Sequence, residues 1–156
     1  MDFSHLAHNW ADIRQRVADA CHAAGRDPSE VNILPVSKTF DVDVVQEAMR
    51  LGLHRFGENK VQEIRDKSRA LPGASIDWVM IGHLQTNKCK DVAKYASEVQ
   101  SLDRPELAVA LDRRLQHEGR VIDVLVQVKT SSEDSKYGLP PAELPAFLDS
   151  LAGYPT

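Results

Sequence analysis

Cysteine is scarce in this 156-residue chain: only Cys21 and Cys89 occur, each inside a helix-like pattern and neither in a C-x-x-C or other metal-ligand spacing. That excludes a disulfide framework and leaves two reduced structural thiols. The six histidines (His5, His8, His22, His54, His83, His117) are scattered and form no H-E-x-x-H cluster, so no structural or catalytic metal is expected. Positive charge is in deficit, 19 Lys and Arg against 23 Asp and Glu for a net charge of -4, which leaves nothing to neutralise a phosphate backbone and argues against a nucleic-acid partner. Long apolar runs are missing too. The two longest, residues 31–36 and 124–128, fall far short of the roughly 20 residues that span a bilayer. The N-terminal stretch MDFSHLAHNWADIRQR is broken by polar residues where a signal peptide needs a continuous apolar segment, so a cytoplasmic location is expected. No G-x-G-x-x-G, G-x-x-x-x-G-K-[ST] or G-x-S-x-G loop occurs, which disfavours dinucleotide, P-loop and α/β-hydrolase sites.

What is present is an ordinary globular composition, 42% hydrophobic and 27% charged, long enough for one core. Leu6, Trp10, Ile13, Val17 and Cys21 recur at spacings of three and four and make one apolar helix face, with Gly25 as its stop. VNILPVSK (31–38) is a near-continuous β-branched run and predicts a strand buried on both faces. Asp41 can then cap a helix carrying Val44, Val45, Ala48, Met49 and Leu51, ended by Gly52. The alternation repeats, with strands predicted at 53–56, 77–82, 98–103 and 122–129 and helices at 58–71, about 86–95, 105–118 and from Pro141 onward. Asp103 with Glu106 resembles a capping box, and Pro105 sits in the first turn, where a missing N–H does no harm. A leading helix and five strand–helix units mean a parallel sheet, either open and doubly wound or the first part of a (β/α)8 TIM-type barrel; five units cannot close a barrel of about 250 residues.

The distinctive polar residues gather after the predicted strands: Lys38 after the first, Gly57, Glu58 and Asn59 after the second, Gly82, His83, Gln85 and Asn87 after the third, Ser101 and Asp103 after the fourth, Thr130, Ser131 and Lys136 after the fifth. Barrels and open α/β sheets place their ligands at this carboxyl end. Loops are polar for solvation alone, so the clustering is only suggestive in itself. Lys38 is the sharper case. A lysine ending a buried strand is drawn partly out of water, which favours the neutral, nucleophilic amine that condenses with aldehydes, whereas a lysine that snorkels to solvent does neither.

PVSKT (35–39), FGENKVQE (56–63), IGHLQTNK (81–88), SLDR (101–104) and TSSEDSKYGL (130–139), in this order, resemble the pyridoxal phosphate homeostasis proteins, small single-domain relatives of the alanine racemase barrel. The resemblance runs from about Trp10 to the end of the chain. It implies that residues 1–156 form one domain, the N-terminal portion of a barrel binding pyridoxal 5′-phosphate (PLP), with Lys38 carrying PLP as a Schiff base. It further implies that Asn59 lies beside the cofactor with Glu58 as its hydrogen-bonding neighbour, that Lys136 lies near the mouth of the site, and that His83 and Asn87 stand behind it. A carboxylate at Glu58 next to a cation would favour the charged form of both.

Two departures stand out. Lys129 occupies a position where the family pattern leads one to expect asparagine, and three further units, whose loops hold the PLP phosphate and place an arginine against the pyridine nitrogen, are not in this sequence. The chain is therefore expected to be a fragment, a truncated product, or a unit completed by another copy. The function implied is intracellular PLP homeostasis: holding the vitamer without established turnover, with PLP-dependent apoenzymes as partners. Full-length family members are expected to be monomers and this short chain to self-associate through exposed strand edges. The alternatives are a PLP-dependent racemase or lyase acting on small amino acids, and a cofactor-free Schiff-base aldolase.

Overall fold

The computed structural model describes residues 3–156. Six α-helices alternate with four strands: α1 (Ser4–Ala23), α2 (Val42–Arg50), β1 (Arg55–Glu58), α3 (Val61–Ala70), β2 (Asp77–Met80), α4 (Cys89–Tyr95), β3 (Ala96–Leu102), α5 (Pro105–Glu118), β4 (Asp123–Val126) and α6 (Leu144–Leu151). The strands are all parallel and lie in the order β1-β2-β3-β4. This order decides between the two architectures. A doubly wound sheet reverses direction at a switch point, whereas strands laid down in chain order, each returning through an outer helix, are those of a (β/α) barrel.

The first expected strand is corrected. Residues 31–38 make one isolated parallel bridge, Val36 to Gly57, flanked by Gly57 N–H donating to Pro35 O (2.8 Å) and Ser37 N–H to Gly57 O (3.0 Å). Pro35 has no N–H to offer a ladder, and the segment lies on the outer edge of β1, so it is not buried on both faces: Asn32 and Val36 are exposed. The second strand begins two residues later than expected, at Arg55, and reaches Glu58. The capping box also fails to form. Arg104, not Asp103, is the N-cap of α5, and it turns back to bond Asp103 (2.7 Å) and Leu84 O (2.7 Å). Asp41 does precede α2 as its N-cap, but without a side-chain bond.

The two faces of the sheet differ. Phe56, Trp78, Met80, Val99 and Leu102 pack under Val45 and Ala48 of α2, Val61 and Ile64 of α3, Val92 and Ala93 of α4 and Leu107, Leu111 and Leu115 of α5. Each Val, Leu, Ile, Phe or Met among them contributes roughly 1.5–3 kcal/mol when fully buried. On the opposite face Arg55 of β1 reaches across to Glu98 of β3, and Gln100 donates to the same carboxylate at 2.7 Å. Leu34, Val36 and Ile81 crowd Gly57 on this side. Cys89 is fully buried, and burial raises its thiol to about 11, consistent with an inert structural residue. Among the described residues, no helix is long and apolar enough to cross a membrane, and no group of three or more His, Cys, Asp and Glu could hold a metal.

Candidate functional site

Alternation along β1 sends Phe56 and Glu58 toward the helices and Arg55 and Gly57 to the other face. Glu58 thus becomes a fully buried carboxylate beneath α3. There Ser37 Oγ donates to its Oε1 at 2.6 Å and Lys67 Nζ forms a close ion pair with the same oxygen. Lys67 is itself only 6% exposed. It also donates to the backbone carbonyl of Ser37 (2.8 Å) and to Glu63 Oε2 (3.3 Å), one turn earlier on α3. Glu63 Oε2 accepts the backbone N–H of Thr39 at 3.0 Å. Thr39 has φ of +67°, the one non-glycine residue with positive φ among those described. For a β-branched residue that backbone is strained by about 1–3 kcal/mol and persists only where its surroundings impose it.

Burial dominates at Glu58 and pushes its pKa up, against the opposing pull of Lys67 and Ser37. Lys67 does pull Glu58 toward its charged form, as expected of a neighbouring cation, but desolvation is the larger effect and the net shift is upward. Burial also pushes Glu63 upward, but the Thr39 N–H, Glu58 and Lys67 together outweigh it, and its pKa falls below the ordinary value. Around a single buried ammonium, one carboxyl is thus shifted up from its ordinary value and the other down. Glu58 Oε2 has no hydrogen-bond partner.

Lys38 stands between the two anchored residues and is exposed. The withdrawal from water expected of a lysine at the end of a buried strand does not occur, because that strand is an edge and the chain turns at 38–39. Asn59 is also exposed, and it shares a cleft of about 160 Å³ with His83, Gln85 and Lys88. What brings the β1 and β2 loops together is Gly82: a Cβ there would lie 2.2 Å from the backbone oxygen of Asn59. His83 stacks on Tyr137 with ring centroids 3.6 Å apart, which ties the loop after β2 to the loop after β4. Lys136, adjacent to Tyr137, is exposed and faces Glu133 at 3.7 Å. Asn87 lies exposed on the 3-10 turn Thr86–Lys88. The backbone N–H of Lys129 donates to Leu139 O (2.9 Å), closing the base of the 130–139 loop. Glu58 is not beside Asn59's exposed side chain but behind the sheet, in the α3 network. Two larger grooves, of about 760 and 650 Å³, run along α1 and are lined by none of Lys38, Glu58, Asn59, His83, Asn87 or Lys136.

The sequence profile described as alanine racemase, N-terminal domain, matches residues 1–156. The chain belongs to that family. It is 38% identical over 152 residues to the pyridoxal phosphate homeostasis protein of Pseudomonas aeruginosa, covering 97% of this chain and 66% of that protein. To the protein of the same name from Escherichia coli it is 37% identical over 153 residues, 96% of this chain and 65% of the relative. The chain thus spans just under two thirds of the length of these relatives. Among solved structures, an unknown protein from Bifidobacterium adolescentis superposes with a TM-score of 0.86 at 28% identity, over 96% of this chain and 64% of that one. The PipY protein of Synechococcus elongatus, with PLP bound, superposes with a TM-score of 0.75 at 31% identity, over 88% of this chain and 65% of that one. The family's parallel barrel sheet is therefore the fold seen here, with the first of its strands reduced to a bridge.

Proposed function

We propose that this chain binds pyridoxal 5′-phosphate through Lys38 and serves intracellular PLP homeostasis as a carrier in the cytoplasm. The observation that carries the reading is an accessible amine at the carboxyl end of a barrel sheet, on backbone fixed at both sides, in a chain alike in fold to a protein solved with PLP bound. The residues fit the aldehyde end of the cofactor. Lys38 supplies a solvent-accessible nucleophile that, once deprotonated, adds to an aldehyde carbon with loss of water to leave a carbon–nitrogen double bond. When bound, PLP supplies the aldehyde and the electron-withdrawing ring. Asn59 and His83, on one cleft, offer hydrogen-bonding groups at the neighbouring strand ends, and Lys136, exposed on the loop after β4, offers a cation for an anionic group. Glu58 takes part indirectly, through the network behind Lys38. PLP-dependent apoenzymes are the proposed recipients, and the names of both relatives support a carrier over a racemase or lyase.

Titration with PLP, followed by absorbance, tests this. The wild-type chain is expected to develop a saturable Schiff-base band that Lys38→Ala lacks, and to leave the α-proton of added alanine unexchanged in deuterated water. A band of equal strength in Lys38→Ala would refute the site. Rapid α-proton exchange would refute the carrier and favour the racemase.

A further inference from the structure

The two peptide groups that flank the Lys38 Cα are held from the same helix. The carbonyl of Ser37, in the peptide before Lys38, accepts from Lys67 Nζ at 2.8 Å, and the N–H of Thr39, in the peptide after it, donates to Glu63 Oε2 at 3.0 Å. Glu63 and Lys67 are four residues apart on α3 and bond each other at 3.3 Å, so both grips move as one unit. Ser37 is fixed a second time through its hydroxyl on Glu58 and a third through its N–H on Gly57. Thr39 is the third residue of a turn closed by the Phe40 N–H on Ser37 O (3.1 Å), and Glu63 ties that turn to α3 through the Thr39 N–H; without the Glu63 acceptor the peptide after Lys38 loses its anchor on the helix and keeps the turn bond alone.

We propose that Glu63 and Lys67 are positioning residues that clamp the Lys38 backbone and aim its amine at the reacting aldehyde. This rests on the reading of Lys38 as the PLP-bearing lysine. Their bonds go to the peptide planes on either side of Lys38. Such a clamp supplies what an exposed lysine otherwise lacks. Four rotatable bonds give the ammonium a wide sweep, and fixing the Cα and its two peptides limits the starting point of that sweep. A misplacement of about 1 Å can cost on the order of a hundredfold in rate.

Glu63→Ala separates the clamp from the fold, because Lys67 keeps its buried partner Glu58 and the change lies on a half-buried side chain. Glu63→Gln keeps an oxygen for the Thr39 N–H. Two readouts are taken on all three chains: hydrogen exchange at the Thr39 amide without PLP, and the rate of borohydride-fixed label at Lys38 with PLP. The expected result is a protected Thr39 amide in wild type and Glu63→Gln, an unprotected one in Glu63→Ala, and a labelling rate at Lys38 lower by roughly tenfold to a hundredfold in Glu63→Ala alone. Labelling in Glu63→Ala at the wild-type rate overturns the clamp while leaving Lys38's role standing. Label absent from Lys38 in wild type as well, with other lysines modified, overturns the PLP reading and the clamp together.

Discussion

Replacing Lys67 with methionine is expected to lower the stability of the folded chain by about 3–5 kcal/mol. Met has nearly the length of Lys and fills the same space, so the loss reports charge, not a cavity. What remains is Glu58, fully buried, with Ser37 as its one partner and an Oε2 already unpartnered, and Glu63 still holding Thr39. A buried carboxylate stripped of its cation is among the costliest defects a single substitution makes. For a chain of this size the change corresponds to a fall in Tm of roughly 6–20 °C. Adding Glu58→Gln to Lys67→Met is expected to restore a large part of it, because the uncompensated charge is removed, and a double-mutant cycle on the two positions should show strong coupling.

The pH dependence carries the same signature. Glu58 binds its proton more tightly when folded than its ordinary value of 4.5, so its contribution opposes folding increasingly as pH rises above that value. Glu63 lies below 4.5 when folded, so the stability it adds is present above that value and lost as pH falls through its folded pKa. Losing Lys67 removes a group that lowers both, which steepens the destabilisation on the alkaline side of 4.5. Thermal melts of the Lys67→Met chain between pH 4.5 and 8 are therefore expected to fall away from wild type as pH rises; a constant offset would mean that Lys67 contributes packing alone.

Gly82→Ala is expected to damage the candidate site severely. The new Cβ would sit 2.2 Å from Asn59 O and 2.9 Å from its carbonyl carbon and Cα, all backbone atoms that no rotamer change can move aside. Overpacking of side chains costs about 1–3 kcal/mol, and a backbone obstruction exceeds that range unless the two loops part. If they part, Asn59 and His83 leave their shared cleft. Denaturant melts measure the first outcome. In the second the chain stays folded, but binds PLP more weakly in the titration used for Lys38→Ala.

The helix-strand alternation and its parallel sense were legible from hydrophobic spacing, as were the carboxyl-end positions of Lys38, Asn59 and His83. The first strand misled because Val31 to Val36 carries the apolar density of a central strand, while Pro35 and the edge position, which depend on pairing, reduce it to a bridge. The network behind Lys38 was missed, yet it left a trace. Val61, Ile64 and Leu71 mark the inward stripe of α3, and Lys67 falls on that stripe between Ile64 and Leu71, where a solvated lysine has no place. A cation on an apolar face calls for a buried anion nearby, and Glu58 at the end of an otherwise buried strand was available. The grip on Thr39 left no such trace, since a threonine signals neither the turn closed by the Phe40 N–H on Ser37 O nor the Glu63 acceptor that ties it to α3.

The central claim is that Lys38, held on clamped backbone at the carboxyl end of this sheet, is where PLP attaches. Incubation of the chain with PLP, borohydride reduction and peptide mass spectrometry test it most directly. The account predicts a pyridoxyl group confined to Lys38 at low PLP excess, with Lys67 unmodified in its buried ion pair. Label distributed over exposed lysines such as Lys60, Lys90 and Lys136, with no preference for Lys38, would contradict it.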